Sequence, residues 1–331
     1  MKKIVAYGEI LLRLSATADT IRASRAFDAC YGGTESNVLA CLHALGHETE
    51  YLSALPQSPL GQAALDHLKR LGVGTSHVVT EGDGMGMYFT ESGNASRGAN
   101  VVYARKHSAF TRLGENSFDL DSVFTGADLF HVSGISFALS PSSRELAFRL
   151  VREARERHIP VSFDFNYRPA LWSVAEAKPM LKRAAKEADI LLASSRDLAA
   201  FMDTDEEHAM DDYPACKRLV LRDRTALSPT RHSVRIVMFT RGAARTEVPE
   251  FTFPVSEKIG GGGDAFNGAL LHSVLTGRSD ADILRFAAAA FALKHTVPGD
   301  VLACGEMEIS DYSAVLTAET PALKADIGGE Q

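Results

Sequence analysis

Four glycines run directly into an aspartate at Gly260-Gly261-Gly262-Gly263-Asp264. Phe266, Leu270 and Val274 then recur on one face of a helical pattern that Gly277 closes. Consecutive glycines ahead of a helix leave backbone N–H groups uncovered and let a ligand approach closely. With the positive end of the helix, those donors suit a phosphate. Asp264 runs against that reading, because a carboxylate repels a phosphate unless it has a task of its own. Taking a proton from an attacking hydroxyl is such a task. Phosphoryl transfer asks for donors around the developing charge and a base that orients the nucleophile, and this string supplies both. Asp264 is then the catalytic base, with the Gly261, Gly262 and Gly263 N–H groups around the transferring phosphoryl group.

The string alone leaves other readings open. Asp264 fits an N-cap beside a glycine turn. Gly260-x-Gly262-x-x-Ala265 also fits the dinucleotide fingerprint G-x-G-x-x-[GA], which would make the chain a dehydrogenase, although that fingerprint normally opens an early strand-helix-strand unit. The phosphate loop G-x-x-x-x-G-K-[ST], the nucleophile elbow G-x-S-x-G and the zinc motif H-E-x-x-H are all absent.

Elements able to position such a loop are legible along the chain. Residues 4–7 read as a strand and 34–45 as a helix stopped by Gly46, a form repeated at 60–71 before Gly72. Residues 127–132 read as a buried strand. Ser140-Pro141 then opens a helix with Ser140 as N-cap and Leu146, Ala147, Leu150, Val151 and Ala154 as its apolar stripe. A strand at 159–164, a helix at 176–187 and a strand at 189–192 continue the alternation. Strands separated by helices of this length pair in parallel through right-handed crossovers, so the expected fold is a three-layer α/β/α sandwich with a mainly parallel central sheet. Residues 11–31 and 85–112 break the rhythm. Strands at 87–91 and 101–105 lack a helix between them and predict a small sheet that serves as a lid. Residues 203–217 and 225–232 read as loops. Residues 1–315 are expected to form one domain, with 316–331 a poorly ordered tail.

The 331 residues carry 35 Lys plus Arg against 42 Asp plus Glu, a formal charge of −7, with no basic block. That argues against nucleic-acid or anionic-membrane partners. No apolar run approaches the ~20 residues that span a bilayer. Cys30, Cys41, Cys216 and Cys304 form no C-x-x-C pair, which fits a reducing, cytoplasmic setting without disulfides. His107 and His131 have no second ligand at a useful spacing, so no protein metal site is expected.

Gly261-Gly262-Gly263-Asp264-Ala265-Phe266 resembles the second signature of the ribokinase-like PfkB carbohydrate kinases, G-[AG]-G-D-x-F. Tyr31-Gly32-Gly33-Thr34-Glu35-Ser36-Asn37, with Leu45-Gly46 and Gly61 after it, resembles the first. Gly8-Glu9-Ile10-Leu11-Leu12-Arg13-Leu14, Gly86-Met87-Tyr88-Phe89-Thr90-Glu91 and Val102-Tyr103-Ala104-Arg105 look like the 2-keto-3-deoxygluconate kinases within that family. So do Asp164-Phe165-Asn166-Tyr167-Arg168 and Pro298-Gly299-Asp300. The resemblance runs from the first strand to about Asp300.

It implies a ribokinase-like fold, ATP with Mg²⁺, and phosphorylation of 2-keto-3-deoxygluconate to its 6-phosphate. Other sugar kinases (for fructose, ribose or a nucleoside) and a non-catalytic sugar-acid sensor are the rival readings. Positions matching Gly33, Tyr88, Tyr103, Arg105, Arg168 and Asp300 contact the sugar acid in that family, and Asp264 matches the base. The residue chemistry agrees: Arg105 and Arg168 can offer planar forks to a carboxylate, and Asn37 can bond a hydroxyl. Asn166, Ser194, Asp197, Arg222, Gly261 and Gly263 fall on the nucleotide side. There the chain departs from the family. Ser194-Ser195-Arg196-Asp197 stands where N-x-x-E is common, Val220-Leu221-Arg222-Asp223 forms the nucleotide strand, and Glu257-Lys258 precedes the glycines. Each residue also has an ordinary structural reading, Arg105 and Arg168 as surface ion-pair formers and Asp300 as a turn residue. The lid sheet suggests a homo-oligomer.

Overall fold

The computed structural model describes residues 1–18, 20–91, 100–228, 230–255 and 260–314. The proposed tail and Glu257-Lys258 lie outside the described residues. The larger sheet contains β1 (Lys3–Tyr7), while β2 (Leu11–Ala16) and β3 (Phe27–Gly32) leave it for a second sheet. The larger sheet resumes with β4 (Glu48–Leu55) and β5 (Val78–Thr80), and β6 (Met87–Glu91) and β7 (Asn100–Ala104) complete the small one. The remaining strands, β8 (Leu129–Ser133), β9 (Val161–Asp164), β10 (Ile190–Ala193), β11 (Arg218–Ser228), β12 (Arg231–Thr240) and β13 (Thr246–Pro254), all join the larger sheet.

The order across the larger sheet is β13-β12-β11-β10-β9-β8-β1-β4-β5. Pairing is parallel from β5 through to β11 and antiparallel for β11-β12-β13. Strand side chains alternate between two cores. Ile4 and Ala6 pack on one face with α1 (Thr34–Ala44) and α2 (Pro59–Arg70). Val5 and Tyr7 pack on the other with α3 (Leu120–Phe124), α4 (Gly134–Ala138), α5 (Pro141–Glu156) and α6 (Val174–Lys186). The short α7 (Ser195–Asp197) follows β10, and α8 (Gly262–Leu275) and α9 (Asp280–Lys294) complete the first layer. A sheet apolar on both faces needs a helical layer on each, which gives the expected sandwich. Ser140 caps α5 through a capping box with Ser143, and Pro141 occupies its first turn.

β1 has β4 on one side and β8 on the other, so the chain builds the sheet outward through β4 and β5 and then crosses back to continue from β8 on the opposite side. The carboxyl ends of the strands around such a switch point open a crevice. The small sheet, ordered β3-β2-β6-β7, stands over it, with β2-β6 parallel and the outer pairs antiparallel. Its strands end at Ala104. Ala109–Arg112 is a 3₁₀ turn, and Phe110 packs on Tyr7 in the main core, ring centroids 4.9 Å apart. Residues 109–112 therefore belong to the main body rather than to the lid segment assigned from sequence.

The loop expected at 225–232 is a correction. Residues 225–228 extend β11, and 231–232 open β12 in an antiparallel pair. Thr225, Ala226, Leu227 and Ser228 are exposed, so backbone ladder bonds hold this hairpin and no buried side-chain pattern marks it. Residues 203–217 are turns and bends as read.

Candidate active site

The Gly260–Asp264 string meets the crevice where α8 begins. Gly261 is the N-cap with φ +68°, and the first helical bond runs from Ala265 N to Gly261 O at 2.9 Å. The N–H groups of residues 262–264 precede that bond, as at any helix start. A Cβ at Gly261 would overlap the Asp300 carbonyl, and one at Gly260 the Asp300 carboxylate. Gly262 faces inward, where a Cβ would overlap the His295 ring. Gly261, Gly263 and Asp264 line a cavity of about 510 Å³, and Gly262 does not.

The small sheet supplies the opposite wall through its register. Arg13 of β2 pairs with Tyr88 of β6, which pairs with Tyr103 of β7, so all three share one face. Tyr88 and Tyr103 have ring centroids 5.8 Å apart. Tyr88 Oη donates to Asp300 Oδ2 at 2.8 Å, and Arg13 forms a buried ion pair with Asp300. Burial, then the Asp300 charge, hold the Tyr88 hydroxyl protonated far above its ordinary range. Gly33 lines the cavity too, and a Cβ there would overlap the Glu9 carbonyl.

The two arginines read from sequence as carboxylate forks differ in state. Arg105 is buried and donates through Nε to Glu9 Oε2 at 2.8 Å, with a second bond from Nη2 to the same oxygen. Glu9 Oε1 is buried with no hydrogen-bond partner among the described residues. Arg168 makes no ion pair among the described residues and donates only to the Asn166 and Tyr167 carbonyls, at 3.3 and 3.1 Å.

A second cavity of about 380 Å³ adjoins the first, and Asp164, Asn166, Arg168 and Arg222 line both. Ser194 and Asp197 line only the second, where a capping box opens α7 at the end of β10. Asn166 has φ +39° and donates through Nδ2 to Thr34 Oγ1 at 3.1 Å. The guanidinium of Arg222 lies 5.3 Å from both the Phe266 and Phe291 ring centroids. Burial lowers its pKa, opposed by the charges of Asp164 and Asp264. Thus all the residues singled out from sequence converge on one bipartite cleft except Gly262.

Asp264 lines the first cavity from the first turn of α8. Its Oδ2 accepts from Asn37 Nδ2 at 2.7 Å. Burial pushes its pKa up to about 7, the Asn37 bond works against that, and the charges of Asp164, Asp300 and Glu35 add to it. A helix N-terminus favours an anion by up to about 2 kcal/mol, and here desolvation outweighs that. A carboxyl poised near neutrality can exchange a proton with a bound hydroxyl.

Several cleft residues carried no assigned role in the sequence reading. Glu9 and Arg13 pair with Arg105 and Asp300. Glu35 accepts from Ser133 N and Oγ, at 3.0 and 2.6 Å, and Asp164 accepts from Asn267 Nδ2 at 2.8 Å. Their only sequence signal was membership of the family-like strings, which assigned them no role. His131, read as structural, is buried in the core and bonds Ser162 Oγ at 3.1 Å.

The pattern of the pfkB family carbohydrate kinases matches residues 1–303. The chain belongs to that family. This pfkB kinase is 33% identical to the 2-dehydro-3-deoxygalactonokinase of Haloferax volcanii, over 90% of its own length and 92% of the relative's. It is 28% identical to the 2-dehydro-3-deoxygluconokinase of Thermoproteus tenax, over 91% and 90%. The crystal structure of 2-dehydro-3-deoxygluconokinase from Thermotoga maritima superposes with a TM-score of 0.90 at 32% identity, covering 95% of this chain and all (100%) of that one. A fructokinase from Xylella fastidiosa with bound ATP superposes at 0.80 with 25% identity, covering 95% and 99%. The dinucleotide reading of the glycine string is thereby set aside. No helix among the described residues is long and apolar enough to cross a membrane.

Proposed function

We propose that this pfkB kinase transfers the γ-phosphoryl group of ATP to the 6-hydroxyl of 2-dehydro-3-deoxygluconate or its galacto epimer. The observation that carries this reading is the placement of the Asp264 carboxyl. It lines the same cavity as Arg168, Tyr88 and Tyr103 and belongs to the first turn of α8. Asp264 takes the proton from the attacking hydroxyl. The N–H groups at the head of α8 and the Arg222 guanidinium meet the transferring charge. Arg168, without an ion-pair partner among the described residues, receives the sugar carboxylate. Arg105 acts mainly through Glu9, whose Oε1, without a hydrogen-bond partner among the described residues, is an acceptor for a sugar hydroxyl.

The nucleotide occupies the half of the cleft lined by Asn166, Ser194 and Asp197. The oxygen donors there suit Mg²⁺, a hard cation that keeps several waters and takes one or two carboxylates with the nucleotide phosphates. Among the described residues no group of three or more His, Cys, Asp or Glu could hold a metal without them. Asp164 and Asp197 would hold the ion, and bound there it would neutralise charge on the phosphates. Residues 1–315 form one kinase unit whose small sheet closes over the sugar and limits ATP hydrolysis by water. Val101 and Val102, exposed on the edge strand β7, favour a homo-oligomer through that sheet.

The test is a panel of sugar acids and neutral sugars with ATP and Mg²⁺, read by coupled ADP detection. Turnover should be confined to 2-dehydro-3-deoxy sugar acids, and Arg168→Ala should raise their KM roughly tenfold to a hundredfold, the value of a lost charged hydrogen bond. Preferred turnover of fructose or ribose, or an Arg168→Ala chain with unchanged KM for the acids, would sink the substrate assignment.

A further inference from the structure

Lys294 closes α9 and is fully shielded from solvent. A buried ammonium is costly unless its donors are matched. Its Nζ donates to the Val297 carbonyl at 2.7 Å and the Gly299 carbonyl at 2.8 Å. It forms no ion pair among the described residues, and both of these acceptors are main-chain oxygens. A lysine that simply caps a helix end reaches back to the last helical carbonyls. Lys294 instead reaches forward into the loop at 297–300.

That loop touches both halves of the catalytic arrangement. The Gly299 carbonyl accepts from Gly260 N at 3.0 Å, at the start of the glycine string. Asp300 bonds Tyr88 and pairs with Arg13 on the sugar wall, and its own carbonyl abuts Gly261 at the head of α8. The Lys294 charge is also within electrostatic reach of the Asp300 and Asp264 carboxylates.

We propose that Lys294 is a positioning residue for phosphoryl transfer, a fixed internal cation. Holding the 297–300 loop, it sets the spacing between the glycine string and the sugar wall. The ammonium touches no reacting atom, and its effect on rate is geometric. This inference rests on the assignment of Asp264 as the base in that cleft. A chain that folds without the ammonium loses turnover more than sugar binding, because the glycine donors and Asp264 drift relative to the hydroxyl.

Lys294→Ala and Lys294→Met test this, with kcat and sugar KM measured separately and folding followed by thermal melting. In Lys294→Ala, kcat should fall roughly a hundredfold, the usual cost of a misplacement of about 1 Å, with sugar KM changed far less. Ammonium or methylammonium chloride should restore about tenfold or more of that loss by entering the vacated space, and tetramethylammonium at equal ionic strength should not. Lys294→Met keeps the stem without the charge, so it should stay impaired and resist rescue. A folded Lys294→Met with kcat near wild type would overturn the proposal. So would an alanine variant whose deficit no small cation relieves, or failure of both variants to fold, which would place the lysine in the service of the whole fold. Asp264→Asn separates the two assignments. It should lose turnover without any ammonium response, whereas normal turnover in Asp264→Asn beside cation-rescued Lys294→Ala would reject the base and leave Lys294 as the residue that spaces the cleft.

Discussion

Asp264 couples the chemistry of the site to its stability. A base must be deprotonated, so kcat/KM for the sugar acid should rise with pH through about 7 and level off above it. A flat profile between pH 6 and 8 would reject that assignment. The sign for stability is opposite. Burial raises the folded-state pKa from an unfolded value of about 3.9 to about 7, so the native chain binds the extra proton between those values. The stabilisation is complete below about pH 4 and is lost as pH rises through 7. Asp264→Asn removes that liability. It should melt higher than wild type at pH 8, by a margin that shrinks toward pH 5, while kcat falls by roughly 10²–10⁴-fold. Thermal melts across that range, run beside steady-state assays, measure both halves.

At the level of the element, the head of α8 distinguishes a glycine that the backbone requires from one whose Cβ would meet only a flexible side chain. Gly261 holds a left-handed φ of +68°, and a Cβ there collides with the Asp300 main chain. Gly261→Ala should lose roughly 1–3 kcal/mol of stability, the usual cost of such strain, and lose activity with it. Gly263 is helical, and its Cβ would come to 2.7 Å from an Arg222 guanidinium nitrogen, the far end of a flexible side chain. Gly263→Ala should therefore stay within about 1 kcal/mol of wild-type stability, helped by the better helix propensity of alanine. Its cost should fall on the nucleotide, as a higher KM for ATP, because Arg222 and the donor beside it are displaced. Denaturant unfolding of the pair separates these effects. Equal stability loss in both would contradict the division.

Across the whole molecule, two buried ion pairs fasten the small sheet to the main body. Arg105 follows β7 and pairs with Glu9 beyond β1, and Arg13 of β2 pairs with Asp300 beyond α9. Removing one partner of such a pair strands the other in a dry environment. Arg105→Ala alone should cost about 3–5 kcal/mol of stability, whereas Arg105→Met with Glu9→Leu should recover most of it while losing sugar affinity. Recovery of stability without loss of sugar affinity would show that the pair only joins the sheets. The switch point at β1 gives this fastening its purpose: the crevice opens where the small sheet leaves and rejoins the main one.

The alternation of strands and helices, the α5 cap, the small sheet and the glycine–aspartate string are local in origin. Hydrophobic period, capping residues and glycine spacing determined them from sequence alone. Asp264 and its glycines were legible because their chemistry sits on consecutive residues. The 225–232 hairpin was not legible, since exposed strand residues held by a backbone ladder leave no apolar pattern. Nor were the partners of Arg105, Arg13 and Lys294, which lie up to 287 residues away in the chain or on a main chain whose path no side-chain type announces. Whether an arginine lacks an ion-pair partner among the described residues, like Arg168, or is already engaged, like Arg105, depends on which side chains the fold brings within about 3 Å. Only the tertiary structure decides that, because burial and distance between remote segments are properties of packing and not of composition or spacing.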